Sequence, residues 1–399
     1  MNAVGVDVSK GWSMIAVMQP GGVIAVKPYK VLHTVSELGN LAEFLKSLSG
    51  ETRVIMENTG NYHYPIAQYL HEQGLYVSVV QAKLIHDYDN NSLRKVKTDK
   101  ADAKKIGKYG LANWSELRRY ESEDETRKIL KCYSRQYELY SKTKTKLKNN
   151  LAALLEMTFP GIKGIFTSPV RDDGHEKWID FAETFWHSKC VGILSRSKFY
   201  DRYRKWCCKN KYRYSQSKAD EIYEISQTYI STIPKNELTQ NLIKMAVAQI
   251  NAVAESQATL LHSMKEIAQS MPEWKAVIEM CGVGETLAAQ LIAEIGDITR
   301  FDRKQSLTAF AGVDSPPNQS GQKDAQGKSV TKSGSAHLRR ILFLVTRCLL
   351  VHKPNDTVYH FIDKKRSEGK LYLVYMVAGM NKFLRVYYGR LNEHLRLIT

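Results

Sequence analysis

The sequence predicts an α/β fold at the N-terminus followed by a long, predominantly helical remainder. Three observations carry that expectation. β-rich runs at about 3–8, 13–18 and 22–27 are cut by turn residues. Helical and strand periods then alternate up to about residue 113. From about residue 124 onward apolar residues recur at helical spacing, through long stretches without Gly or Pro.

The first three runs, separated by Ser9-Lys10-Gly11 and Pro20-Gly21-Gly22, read as an antiparallel meander of two hairpins. Leu38, Leu41, Phe44 and Leu45 place a helix over about 34–48. A strand over 53–57, a helix over 62–73, a strand over 75–80 and helices over 82–92 and about 99–113 follow. Three antiparallel strands and then alternating helix and strand is the order of the RNase H-like fold.

Farther on, Ile129, Cys132, Tyr133, Tyr137, Tyr140, Leu147 and Leu151 form a helical stripe over about 124–157, which Pro160-Gly161 ends. A second long pattern, about 236–270, holds Leu242, Met245, Ala246, Ile250, Val253 and Leu260. The two read either as a coiled-coil arm that could mediate oligomerisation or as ordinary helices of a globular middle domain. Between them, Lys189 to Lys218 carry ten basic residues against the single acid Asp201, interleaved with Phe199, Tyr200, Tyr203, Trp206, Tyr212 and Tyr214. Two readings fit that segment: a surface that stacks unpaired bases, or a solvated basic helix whose aromatic face is core. The apolar run 341–351 is too short for a membrane span and contains Arg347, so it reads as a buried helix. These patterns divide the chain into domains at 1–118, 119–270 (with an insertion at about 160–235) and a mainly α domain at 271–399.

The composition is that of a globular protein, 43% hydrophobic and 25% charged, but 58 Lys and Arg face 41 Asp and Glu. The net charge of +17 points to a polyanionic partner, with nucleic acid favoured over a membrane surface because no lipid anchor or basic amphipathic anchor is evident. Cys132, Cys190, Cys207, Cys208, Cys281 and Cys348 lack CxxC spacing, which argues against a zinc ribbon or a disulfide framework. The N-terminus enters a strand directly without a signal-peptide pattern, and a soluble cytoplasmic protein is expected.

Four acids dominate the chemistry. Asp7 lies inside the apolar run Ala3–Ser9 and Glu57 closes the run Val54–Asn58. Asp99 and Asp102 stand three apart, on one face of a helix. A carboxylate at the end of a hydrophobic strand is costly unless something neutralises it. Several such groups in so basic a chain suggest bound divalent metal acting on nucleic acid. Arg94, Lys95, Lys97 and Lys100 beside them suit a phosphate track, though a charged helix face would look the same.

Two further segments matter. Gly282-Val283-Gly284 leading into Glu285–Ala289 has the form of a helix-hairpin-helix-like element, whose tight turn can offer backbone N–H groups to a DNA phosphate. Gly312 to Arg340 forms a Ser- and Lys-rich loop running into a helix, with Ser320, Lys328, Lys332, Ser333, Ser335, Arg339 and Arg340. A serine among cations can serve as a nucleophile toward phosphorus.

On these residues the chain resembles the DEDD insertion-sequence transposases, the Piv-like family of bridge-RNA-guided recombinases. The likeness rests on Gly5-Val6-Asp7-Val8-Ser9-Lys10, Met56-Glu57-Asn58-Thr59-Gly60 and Lys95–Ala103. It continues through Gly282-Val283-Gly284, Ala293–Asp297, Ala311-Gly312, Ser320-Gly321 and Lys332-x-Gly334-x-x-x-Leu338-Arg339. It implies a RuvC-like nuclease domain, a coiled-coil arm and a C-terminal transposase domain with a catalytic serine. By motif position that serine is Ser320, with Ser333 and Ser335 as alternatives. Cys281 stands where the family usually has Pro, and the segment 160–235 is longer than in compact relatives.

The resulting expectation is an RNA-guided DNA recombinase of a bacterial insertion sequence. Asp7, Glu57, Asp99 and Asp102 would bind two Mg²⁺ ions (Mn²⁺ as the alternative), and Ser320 would form a covalent phosphoserine. Lys95, Lys97, Lys100, Gly282, Gly284, Lys328, Lys332, Arg339 and Arg340 would contact nucleic acid. The partners would be donor and target DNA, a structured non-coding guide (bridge) RNA and further copies of the chain as a dimer or tetramer, in the cytoplasm at the nucleoid. Two rivals are an RNase H-like Holliday-junction-resolving or structure-specific endonuclease using metal-activated water, and a non-catalytic nucleic-acid-binding scaffold.

Overall fold

The structure, a computed structural model, describes residues 1–398 except 59, 89–97, 172–173, 315–318, 321–322 and 325–329; for 319, 320, 323 and 324 it describes the backbone alone. The chain divides into two compact units, Met1–Asp124 and Glu125–Thr399.

In the first unit, β1 (Asn2–Ser9), β2 (Trp12–Gln19) and β3 (Val23–Leu32) form the expected meander. α1 (Val35–Ser47), β4 (Thr52–Glu57), α2 (Tyr64–Glu72), β5 (Tyr76–Val80), α3 (Ala82–Tyr88) and α4 (Asp99–Ala112) follow. The sheet order is β3-β2-β1-β4-β5, with β1–β2 and β2–β3 antiparallel and β1–β4 and β4–β5 parallel. This is the RNase H-like arrangement. The strand β3 runs five residues beyond the expected end because Pro28 and the charged residues around it hide the strand pattern. The register breaks near Pro28 between the pairs Val17–Val26 and Ile15–Tyr29, as a residue without an N–H requires at a sheet edge.

Alternation along β1 sorts its side chains. Val4, Val6 and Val8 join Leu38, Leu41 and Leu45 of α1 and Ile66 and Leu70 of α2 in one core. Ala3, with Ile55 of β4, packs on the opposite face against Ile106 of α4 and Ile85 of α3. Asp7 shares the parity of Ala3 and Gly5, and Glu57 that of Ile55, so both acids face the α4 side.

The second unit opens with two long helices, α5 (Glu125–Thr158) and α11 (Glu237–Gln269). They pair antiparallel: Leu130 shares a core with Met264 and Ala268, Gln257 Nε2 donates to Ser141 Oγ at 2.7 Å, and Leu151 meets Ile243, Val247 and Ile250. Between them α6 (Ile162–Ile165), α7 (Lys177–Thr184), α8 (Lys189–Gly192), α9 (Arg196–Lys209) and α10 (Gln216–Thr228) build a helical cap. Here the base-stacking reading of the basic segment is corrected. Phe199, Tyr203 and Trp206 are buried, and Tyr203 stacks on both Phe199 and Trp206, with ring centroids 5.8 Å apart in each case. The amphipathic period of α9 turns its rings inward, leaving Lys198, Arg202, Arg204, Lys205 and Lys209 exposed.

The rest of this unit comprises α12 (Trp274–Ile278), α13 (Glu285–Ile295), α14 (Lys304–Ala311), a two-stranded ladder of β6 (Gln319–Ser320) and β7 (Lys323–Asp324), α15 (Ala336–His352), α16 (Thr357–Ser367) and α17 (Tyr372–Ile398). Leu342, Val345 and Leu349 of α15 are buried, as the run 341–351 requires. Among the described residues no helix is long and apolar enough to cross a membrane.

Candidate active site

The four acids sit on rigid supports. Asp7 lies near the end of the central strand and Glu57 is the last residue of the adjoining parallel strand. The remaining pair belongs to the first turn of α4, whose start is fixed by Thr98: its Oγ1 accepts from Ala101 N at 3.2 Å. Carboxylates in a first helical turn are favoured by the helix dipole, which offsets part of the cost of gathering them here.

Glycines bring α4 onto the sheet. A Cβ on Gly5 would lie 2.0 Å from the Ala103 carbonyl oxygen and 2.4 Å from Gly107 N. One on Gly110 would meet Ile55 Cδ1 at 2.6 Å. Backbone-to-backbone approach of this kind carries Asp102, next to Ala103, over the strand that holds Asp7. Sequence reasoning missed this device, although two glycines three apart inside a helix are a readable signal.

Electrostatics report the outcome. The Asp7 carboxyl is pushed up from 3.8 to about 6, first by burial and then by Asp102, Asp99 and Glu57. All four acids therefore share one field. Among the described residues no three acids, His or Cys stand close enough together to enclose a cation as they are. The four carboxylates, from two strands and a helix, offer oxygen donors of the kind that suits a hard divalent cation. Lys100 is exposed on α4, and Lys95, Lys97 and Arg94 lie outside the described residues.

The serine loop has a stitched root. α14 ends at Gly312, in the left-handed region with φ +64°, where a Cβ would lie 2.6 Å from Gly334 N. Lys332 N donates to Gly312 O at 3.2 Å, Ser335 N to Phe310 O at 2.7 Å, and Thr331 Oγ1 to Asp314 Oδ1 at 2.6 Å. Arg339 Nη1 donates to Ala311 O and Gly334 O at 3.0 and 2.9 Å, so its guanidinium clamps the root. Ser320 pairs with Lys323 in the β6–β7 ladder, and Lys328 lies outside the described residues. Ser335 caps α15, accepting from Leu338 N at 3.1 Å, and its hydroxyl also meets Glu294 Oε2 at 3.3 Å. Ser333 and Lys332 are exposed.

Two buried glutamates that no local motif announces tie α5 to this root. Glu294, 1% exposed, accepts from Arg135 Nε at 3.0 Å. Glu138, 5% exposed, meets His337 Nδ1 at 2.6 Å and Arg340 Nε at 3.8 Å. At the Gly turn, a Cβ on Gly282 (φ +78°) would strike Leu349 Cγ at 2.8 Å, which makes that glycine a packing requirement. Gly284 faces open space and starts α13 without a side-chain cap.

Carboxylates on two strands and a helix of an RNase H-like sheet, joined in one chain to a long helical unit, fit the class of DEDD transposases. Two family models match the sequence: a DEDD IS110-type model described as a transposase, over residues 4–160, and one described as the transposase IS116/IS110/IS902 family, over 275–360. Together they span more than half of the chain, which belongs to the IS110 transposase family.

An uncharacterized 43.6 kDa protein of insertion element IS110 from Streptomyces coelicolor is 22% identical over 181 residues, 45% of this chain and 44% of that protein. The transposase for insertion sequence element IS1111A from Coxiella burnetii is 32% identical over 121 residues, 30% of each chain. The match thus spans less than half the length of either relative. Two Thermus thermophilus RuvC structures, one in complex with a Holliday junction substrate, align with 29% and 30% of this chain and 96% and 100% of theirs. Their identities are 12% and 14%, each at TM-score 0.24.

Proposed function

We propose that this protein is the DNA transposase of an insertion sequence, a recombinase that breaks and rejoins DNA through a serine ester. The observation that carries the reading is the setting of Asp7, whose carboxyl is held near 6 first by burial and then by Asp102, Asp99 and Glu57, which makes positive charge the natural complement of the site. These four carboxylates would hold Mg²⁺, with two ions expected and Mn²⁺ as a substitute. Bound there, the metal would supply charge neutralisation at a DNA phosphate.

The chain's own nucleophile is Ser320. Its Oγ attacks the scissile phosphorus, the bond to the 3′ oxygen breaks, and that oxygen leaves as a protonated 3′-hydroxyl. The DNA end stays on the protein as a phosphoserine ester until another 3′-hydroxyl displaces the serine. The cap geometry of Ser335 supports this choice, since that hydroxyl is committed to Leu338 N and Glu294. Arg339 keeps the loop root closed, while Lys332, Gly284 and Lys100 remain available to phosphates.

The charge of +17 fits donor and target DNA, and a structured guide RNA is the remaining polyanion of the reading. The α5–α11 pair serves as the arm through which copies assemble, and the reaction takes place on DNA in the cytoplasm. Denaturing gels of wild type incubated with Mg²⁺ and DNA ending in the element's own flanks test this. A covalent protein–DNA adduct is expected, lost in Ser320→Ala and in Asp7→Asn. Clean cleavage without an adduct, undiminished in Ser320→Ala, overturns it in favour of a hydrolytic nuclease. Sequencing the RNA that copurifies tests the guide: a defined transcript from DNA beside the gene is expected, and random cellular RNA counts against it.

A further inference from the structure

One groove of the second unit is not accounted for by the acids or by the serine. It lies among α14, α16 and α17, with a volume of about 710 Å³, large enough for a nucleotide. Arg303 at the start of α14 and Lys382 and Arg385, one turn apart on α17, line it. None of the three forms an ion pair among the described residues. That contrasts with the same unit's interior, where Arg127 is paired with Glu273 and Arg135 with Glu294. Three cations in one concavity repel each other, so the arrangement is stabilised when a polyanion enters. The one acid of the lining, Asp314, is already engaged by Thr331 of the loop root.

Two other lining residues narrow the ligand. Asn381 Nδ2 donates to Val313 O at 2.8 Å, which fixes the amide's orientation and joins the groove to the residue preceding Asp314. Its Oδ1 is buried and without a partner among the described residues, an acceptor that calls for an N–H or O–H donor. A phosphodiester has no donor, whereas a nucleobase has amino and imino groups. Phe361 of α16 adds a half-buried ring in the same wall, a surface on which a base can rest.

We propose that this groove holds one nucleotide of the DNA strand on which the serine loop works. Its phosphates lie on Arg303, Lys382 and Arg385, and its base rests on Phe361, where it donates to Asn381 Oδ1. The assignment to DNA rests on the proposed function, because Asp314 is both a wall of the groove and the residue from which the loop departs.

The test compares full-length wild type with the triple variant Arg303→Gln, Lys382→Gln, Arg385→Gln. A charge-matched control, Lys205→Gln, Lys209→Gln, Lys211→Gln, removes exposed cations of the helical cap. Anisotropy of a labelled single-stranded oligodeoxynucleotide and of the same sequence in RNA is read over a salt series. The groove triple is expected to bind DNA about tenfold or more weakly, with the slope of log K against log salt reduced by about two. Phe361→Ala is expected to weaken it about fivefold. The control is expected to stay within about threefold of wild type, the loss of a few remote charges. A groove triple that binds DNA no worse than the control overturns the site, and one that loses RNA but not DNA overturns the choice of strand. Unfolding is excluded by matching circular dichroism, and the single variant Lys382→Gln, expected to be intermediate, repeats the test with less perturbation. Adduct formation by wild type separates the two proposals: an adduct with an unaffected groove triple sinks the groove alone. No adduct with a DNA-binding groove sinks the serine mechanism alone.

Discussion

The raised carboxyl of Asp7 has a thermodynamic consequence. Because its value near 6 in the folded chain exceeds the ordinary 3.8, the folded protein holds that proton more tightly than the unfolded one. The stability this contributes is fully present below about pH 4 and lost as pH rises through about 6, where the ionised acid is left in a half-buried, like-charged field. Asp7→Asn removes the titration. In chelator at pH 8 the variant should unfold at a higher temperature than wild type, by about 1 kcal/mol or ~3–5 °C once the shift is discounted for partial exposure. The gap should close toward pH 4. Adding Mg²⁺ should reverse the order at pH 8, since only wild type keeps the full ligand set. Calorimetry in both conditions checks this, and a variant no more stable than wild type at pH 8 in chelator would show that the fold does not disfavour the ionised Asp7 as described.

At the scale of elements, the site depends on how closely α4 lies on the sheet. Gly5→Ala puts a methyl carbon within 2.0 Å of the Ala103 carbonyl, where only movement of the helix can relieve the overlap. We expect a loss of about 2–4 kcal/mol and a weakened Mg²⁺-induced rise in melting temperature, since Asp102 moves with α4. Gly39→Ala in α1 is the contrast: its Cβ meets only the Tyr69 hydroxyl, at 3.3 Å, and should change stability by less than about 1 kcal/mol. Thermal melts of the two variants read the difference. Asp7 and Glu57 were legible in the sequence because a charged residue in or closing an apolar strand violates the strand's own pattern, and Asp99 and Asp102 through their spacing of three on one helical face. The long helices α5 and α11 were legible through their unbroken period. The edge strand past Pro28 was not, because edge residues need not be apolar. Nor was the helical cap, because several of its helices are a turn or two long and its aromatic core wears the composition of a base-binding surface. The cations of the groove come from α14 and from α17, some eighty residues later, so no local motif could announce them.

For the whole molecule, the acids and the serine belong to different compact units of one chain. α5 is the first helix of the second unit, and its Arg135 and Glu138 grip Glu294 and His337 at the foot of the serine loop. On the proposed function, a chain built this way can supply acids to one reaction centre and its serine to another, provided copies associate. Mixed multimers decide whether it does. Asp7→Asn and Ser320→Ala should each be inactive alone. In a random dimeric mixture half of the dimers carry one copy of each variant. If the centre is composite between subunits, one of the two centres in such a dimer retains both an intact acid cluster and an intact serine. Adduct yield should then recover to about one quarter of wild type. If each chain completes its own centre, every centre in the mixture lacks one component and no adduct forms. Unfolding and refolding the two variants together, then assaying labelled DNA for a covalent adduct, reads the outcome directly. A mixture as inactive as its parts would assign acids and serine to the same copy.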